Sequence, residues 1–358
     1  MEALDWSMSD PASQLVDWRT ASVIGAKAAG RGAPLSHLQR ARLQEEFAEV
    51  VPEAESLVVD FTGLQPQGYR ARSWVMDRPE WIDANLRGFQ RVLEPLAKRV
   101  LDRAGSGRGA AGLRRKALGL QVGLLMGYVS RKVLGQYDLF LPPDDDGLLY
   151  FVGTNVAGVE RRFRFPQRDF RLWLSLHEVA HRVQFGSVPW LRGYLTGQVD
   201  AYLSAMEVDP KRIVEALKRA VQEVRTKGTR SAQSLIFLLM TPEQRAVLER
   251  VQALMSLLEG HANLIMDRVG DGRVRDAARM RRSLQERRQA SGIERTFQRV
   301  IGFDTKIRQY DVGERFVAQV VDGAGTEGFN RVWDSPDNLP SMPEVMKPAD
   351  WLARVSPR

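Results

Sequence analysis

Cysteine is absent from the 358 residues. That excludes disulfides, thiolate zinc sites and cysteine nucleophiles, and it suits a reducing compartment, so a cytoplasmic location is expected. Histidine is scarce, with 4 residues, so any metal must be held by those few imidazoles together with carboxylates. Long apolar runs are missing too. The longest uncharged stretch of membrane interest, 117–130, is well short of the roughly 20 residues a spanning helix needs. It reads as a buried core helix, and no membrane partner is expected. Met1 to Asp10 carries acids and lacks the basic, apolar pattern of a signal peptide.

Basic residues are in excess, with a formal charge of +8. Much of the excess lies between Arg273 and Arg299, where nine arginines (273, 275, 279, 281, 282, 287, 288, 295, 299) face Asp276, Glu286 and Glu294. A charge run of this kind is usually a solvated helix face. No finger, RNA-binding signature or basic zipper accompanies it, so a nucleic-acid partner is not expected.

The chain is patterned mostly as helix. Apolar residues recur at three- and four-residue spacing over Val16–Ala29 and Leu35–Val51, with a glycine- and proline-containing breaker between them. Asp77-Arg78-Pro79-Glu80 and Thr241-Pro242-Glu243-Gln244 are helix starts, each with a cap residue and a proline in the first turn. Helices are expected over Gln167–Phe185, ending at a left-handed Gly186, and over Val188–Met206, Lys211–Arg225, Thr241–Val269, Arg273–Ala290 and Asp304–Val321. Strand character is confined to the middle: Tyr137–Leu141, Leu148–Val159, and the alternating Arg162–Phe165. No repeat or linker interrupts the chain. The expectation is a mainly α (α+β) fold forming one domain over 1–358, with a helical part (1–135), a small sheet and active helix (136–186), and further helices (187–358).

The stretch that carries chemistry is Ser175-Leu176-His177-Glu178-Val179-Ala180-His181-Arg182. Helical residues four apart lie on one face, so both imidazoles can reach one ion. Zinc accepts neutral imidazole nitrogen and needs a third protein ligand, leaving a position for water. Glu178 stands where a carboxylate can reach that water without ligating the metal, which makes it the candidate general base. With 4 histidines in the chain, the pattern would arise by chance in roughly 3 of 1,000 shuffled sequences. The apolar residues around it place it on a buried helix, as a shaped site requires.

The third ligand is sought further on. A third histidine six residues after His181 is absent, since Ser187 stands there. Leu257-Leu258-Glu259-Gly260-His261-Ala262 offers two candidates, and Glu259 and His261 cannot both ligate from one regular helix because two residues are about 200° apart. Both flank the apolar stripe. Glu259 shares its side with Ser256 and Asn263, which favours it; His261 either packs between helices or contacts substrate or the reaction's oxyanion, a role for which Tyr310 is the other nominee.

These segments resemble the bacterial zincin-like metallopeptidases that are often described as associated with coenzyme F-420 biosynthesis. The similarity runs through Trp81–Leu86 (W-I-D-A-N-L), Phe151–Asn155 (F-V-G-T-N), Phe170–Phe185 (F-R-L-W-L-S-L-H-E-V-A-H-R-V-Q-F), Leu257–Ala262 (L-L-E-G-H-A), Lys306–Tyr310 (K-I-R-Q-Y) and Asn330–Pro340. It implies His177, His181 and Glu259 as ligands of Zn2+, Glu178 as the base, and a helical fold with a short sheet beside the active helix. Asn263 sits where some glutamate-ligand zincins carry an aspartate four residues after the third ligand, and a neutral amide would orient a histidine less strongly. The expected function is a zinc-dependent hydrolase, most simply a peptidase acting on a peptide or protein that pairs with the extended Leu148–Val159 segment. The alternative is a metal-stabilised scaffold whose basic surface meets an acidic partner.

Overall fold

The computed structural model describes residues 11–30, 32, 34–103, 108–139, 147–204, 241–290 and 309–355. Among them the chain is mainly helical with one small three-stranded sheet. It falls into two compact units, Met1–Gly186 with Val269–Asp276, and Ser187–Arg268 with Ala277–Arg358. The expected helix over Lys211–Arg225, and Phe140 and Leu141 of the expected strand Tyr137–Leu141, lie outside the described residues.

The first unit is built around α1 (Pro11–Leu15), α2 (Trp18–Ala29), α3 (His37–Thr62), β1 (Arg72–Met76), α4 (Arg78–Arg103), α5 (Arg108–Ser130), β2 (Gly135–Tyr137), β3 (Leu148–Val152), α6 (Gly153–Phe163) and α7 (Gln167–Ser187). Ser36 and Gln39 close a reciprocal capping box that starts α3. The helix passes through Pro52 and stops at Gly63, whose φ of 70° is the left-handed end glycine tolerates. Asp77 and Glu80 exchange the same pair of bonds at the start of α4.

The sheet order is β1-β3-β2, with β1 parallel and β2 antiparallel to β3. β1 is a strand the sequence reading missed. Its five residues alternate poorly, and only pairing with β3 defines them. β3 is the middle strand, with its hydrogen-bonding edges taken on both sides, so the expectation that Leu148–Val159 captures a peptide as an added strand is overturned. The chain also turns helical at Gly153, and Arg162 and Phe163, expected in a strand, belong to α6. Gly153 is needed there because a Cβ would come within 2.8 Å of Val75 and 3.0 Å of Leu35 and Leu43. Asn155 then ties the sheet to its neighbours. Its amide donates to the carbonyls of Ser130 and Val133 at 2.7 and 2.6 Å, and its Oδ1 accepts from Arg78 at 2.9 Å.

α5 differs from its reading as a buried core helix. It packs on α2 through Gly119, Gly123 and Gly127, where a Cβ would lie 2.5–2.6 Å from Asp17 O, Ala21 O and Gly25 O. Glycine lets the two backbones approach, so the large apolar side chains point the other way. Leu113, Leu118, Leu120, Leu124 and Leu125 are 77, 42, 43, 50 and 37 % exposed.

The second unit holds α8 (Leu191–Ser204), α9 (Pro242–Gly270, to Arg268), α10 (Ala277–Ala290), α11 (Gln309–Asn330, broken at Gly325 with φ 71°), two 3-10 turns, α12 (Met342–Met346) and α13 (Pro348–Val355). α9 begins at the expected Thr241–Gln244 box. Gly260 of α9 meets the backbone of Gly313 in α11, leaving no room for a side chain at either position. Trp351 is fully buried against Phe316, and its indole N–H donates to Asn338 O at 2.7 Å.

Candidate metal centre

α7 carries the candidate residues, and its residues 170–180 and 182–184 are buried. A helix buried nearly all round must satisfy every polar group it takes inside. Arg171 forks onto Glu160 at 2.7 and 2.9 Å and also pairs with Glu46. Burial pushes the Glu160 carboxyl up to about 7 and the Arg171 guanidinium down to about 10; the bidentate fit is that of a charged pair held against this penalty. One end of α7 is thus anchored to α6 and α3. Arg182 anchors the other, pairing with Glu55 at 2.8 Å and donating to the carbonyl of Tyr69. Glu55 in turn accepts from the amide of Ala71 just before β1.

Between those anchors lies one turn with His177, Glu178 and His181. The imidazole Nε2 atoms of His177 and His181 are 3.3 Å apart, with ring planes at 89°. Nδ1 of His181 lies 3.0 Å from Oε1 of Gln184. An amide oxygen only accepts, so the Nδ1 proton is on that side and the Nε2 lone pair points at His177. The i, i+3 spacing from His181 to Gln184 is the signal in the sequence for this orienting residue.

Glu178 points to the sheet. Its Oε2 accepts from the backbone N–H of Tyr137 at 3.1 Å. A Cβ on Gly135 would lie 2.7 Å from Glu178 Cγ and 2.8 Å from Oε1, so glycine in β2 is what admits the carboxylate. Neither contact has a motif.

The residues the sequence singled out are distributed as follows. His177 and His181 stand on α7 in the first unit, and Glu259 on α9 in the second. His261 is 2 % exposed, with its ring 4.8 Å from Phe329 and 5.7 Å from Trp333. Tyr310 belongs to the first turn of α11, and its side chain lies outside the described residues. In the arginine-rich stretch, Arg281 is committed to Asp267 and Glu314, and Arg275 pairs with Asp169 at 3.2 Å. Arg273 and Arg282 are exposed; the side chains of Arg287 and Arg288, and all of 291–308, lie outside the described residues.

A family model for zincin-like metallopeptidases matches residues 16–352. The chain belongs to that family. It is also similar to a crystal structure of a proposed hydrolase with a novel fold from Chloroflexus aurantiacus, with 31 % identity, a TM-score of 0.73, and 96 % of this chain and 100 % of that one covered. Among curated proteins none matches. Membership of the zincin-like family implies a metal. The paired imidazoles fit one: their nitrogens suit zinc, and the 3.3 Å between them matches the edge of about 3.3–3.4 Å that a tetrahedron with Zn–N bonds of about 2.0–2.1 Å requires.

Proposed function

We propose that this zincin-like protein is a zinc-dependent peptidase in which His177, His181 and Glu259 hold the ion and Glu178 is the general base. The observation that carries the reading is the pair of Nε2 atoms 3.3 Å apart on a buried helical turn, with a carboxylate fixed between them in sequence and against β2 in space. Bound there, zinc would supply a Lewis acid that polarises a carbonyl and makes water acidic enough to attack near neutral pH.

The chain's own residues do the rest. Gln184 holds the proton on Nδ1 of His181 and so keeps Nε2 available as a donor atom. The amide of Tyr137 holds Oε2 of Glu178, and the carboxylate so placed takes the proton of the attacking water and returns it to the departing amine. Oxyanion stabilisation is assigned to His261 or Tyr310, with His261→Gln and Tyr310→Phe each expected to lower kcat without loss of metal.

The test is a peptide-library digest beside metal analysis. Glu178→Gln should keep the wild-type metal content and lose about 10²- to 10⁴-fold in turnover, the range for general base catalysis. Undiminished cleavage by that variant would remove the proposed mechanism, and wild-type metal content in His181→Ala would remove the proposed site.

A further inference from the structure

The five exposed leucines of α5 form an apolar face with no described covering, and the charges around it say what it meets. Taking Leu113 as the origin at 100° per residue, Leu120, Leu124, Leu125 and Leu118 fall within about 160° of arc, centred about 140° from the glycines. Arg114, Gln121 and Tyr128 share that arc, and none of them is acidic. At the ends of the helix stand Arg114-Arg115-Lys116 and Arg131-Lys132, and no acidic residue occurs between Asp102 and Asp138. Arg114, Lys116 and Arg131 are exposed. The helix it packs on repeats the pattern, since α2 contains no acid and exposes Arg19, Val23 and Lys27, one turn apart.

From this we infer that the leucine face of α5 rests on an anionic lipid surface, with the helix lying in the plane of the interface and its cations meeting headgroup phosphates. Such an arrangement combines an apolar face, a basic flank and no spanning segment. Among the described residues no helix is long and apolar enough to cross a membrane, so the contact is peripheral. A second copy of the chain is the poorer occupant: both ends of α5 are basic, and either a parallel or an antiparallel pairing sets cations against cations. The expectation of no membrane partner depended on reading 117–130 as buried. Its exposure removes that ground. The inference is independent of the proposed peptidase chemistry.

The experiment is co-sedimentation of the full chain with vesicles of phosphatidylcholine alone and with a third of phosphatidylserine. Partitioning is expected onto the anionic vesicles, at least tenfold stronger than onto the neutral ones, and weakening as salt rises from 0.05 to 0.5 M (about 14 down to 4 Å of screening length). Leu120→Ser/Leu124→Ser should lower it at least tenfold, as should Arg114→Gln/Lys116→Gln, with thermal melts unchanged because these side chains are exposed. No sedimentation with either vesicle, equal binding to both, or wild-type binding by the leucine variant would each overturn the inference. So would a concentration-dependent dimer in sedimentation velocity that the leucine variant abolishes, which would assign the face to a second copy.

Discussion

Replacing Gly135 with alanine perturbs the proposed base without touching either histidine. The added Cβ would lie 2.7 Å from Glu178 Cγ and 2.8 Å from Oε1. Ordinary contact between such atoms begins near 3.5 Å, so the carboxylate or the strand must move by about 0.8 Å. β2 is paired to β3 through all three of its residues, which leaves the side chain as the softer element. Moving it stretches the 3.1 Å bond from the Tyr137 amide. Misplacement of a catalytic group by about 1 Å costs on the order of 10²-fold, or about 2.7 kcal/mol of barrier. Stability should fall by less, about 1–3 kcal/mol for overpacking, partly offset by the reduced freedom of the unfolded chain. The assay is kcat on a peptide cleaved by the wild type, beside zinc titration and a thermal melt. Turnover should drop about 10²-fold with zinc affinity retained. A Glu178→Gln background supplies the decisive arm: if Gly135 acts through Glu178, its replacement there should cost nothing further. A folded, zinc-loaded Gly135→Ala protein with wild-type turnover, or full additivity in the double variant, would refute the reasoning.

Two other perturbations follow from α7. Arg171→Met leaves Glu160 buried without its fork and should cost about 3–5 kcal/mol in denaturant unfolding, whereas Arg171→Met/Glu160→Leu should recover much of the loss; equal stability of single variant and wild type would show that the pair does not anchor the helix. Gln184→Leu removes the acceptor at His181 Nδ1 and should weaken zinc binding about 10- to 100-fold in competition with a chelator, while a variant as tight as wild type would mean the imidazole is oriented by something else.

Much of this was legible in the sequence, for reasons that differ by residue. His177, Glu178 and His181 stand out because helical spacing turns a linear pattern into a shared face. The starts of α4 and α9 were readable because capping is local, confined to four consecutive residues. β1 was not, because a five-residue strand is defined by the partner across the ladder. Nor was the role of Gly135, since the residue it accommodates is 43 positions away in sequence. The arginines of α7 carried a usable signal: a charge inside a strongly apolar helix requires a partner, although the sequence does not name Glu160 or Glu55. α5 was misread for one reason. Hydrophobicity marks the inside only where large side chains make the contact, and here glycine makes it and leucine faces out.

The grip on Glu178 bears on how this protein can vary. Its partner is the peptide N–H of residue 137, a group that every amino acid except proline supplies. Point changes at position 137 therefore leave the grip in place so long as the local packing is kept. A deletion or insertion of one residue just before β2 does not, because amides and carbonyls alternate along a strand edge and a shift of one position presents a different set. The proposed base is addressed by a location on the backbone, so the length of the segment joining α5 to β2 is more tightly constrained than the identity of the residue that does the holding.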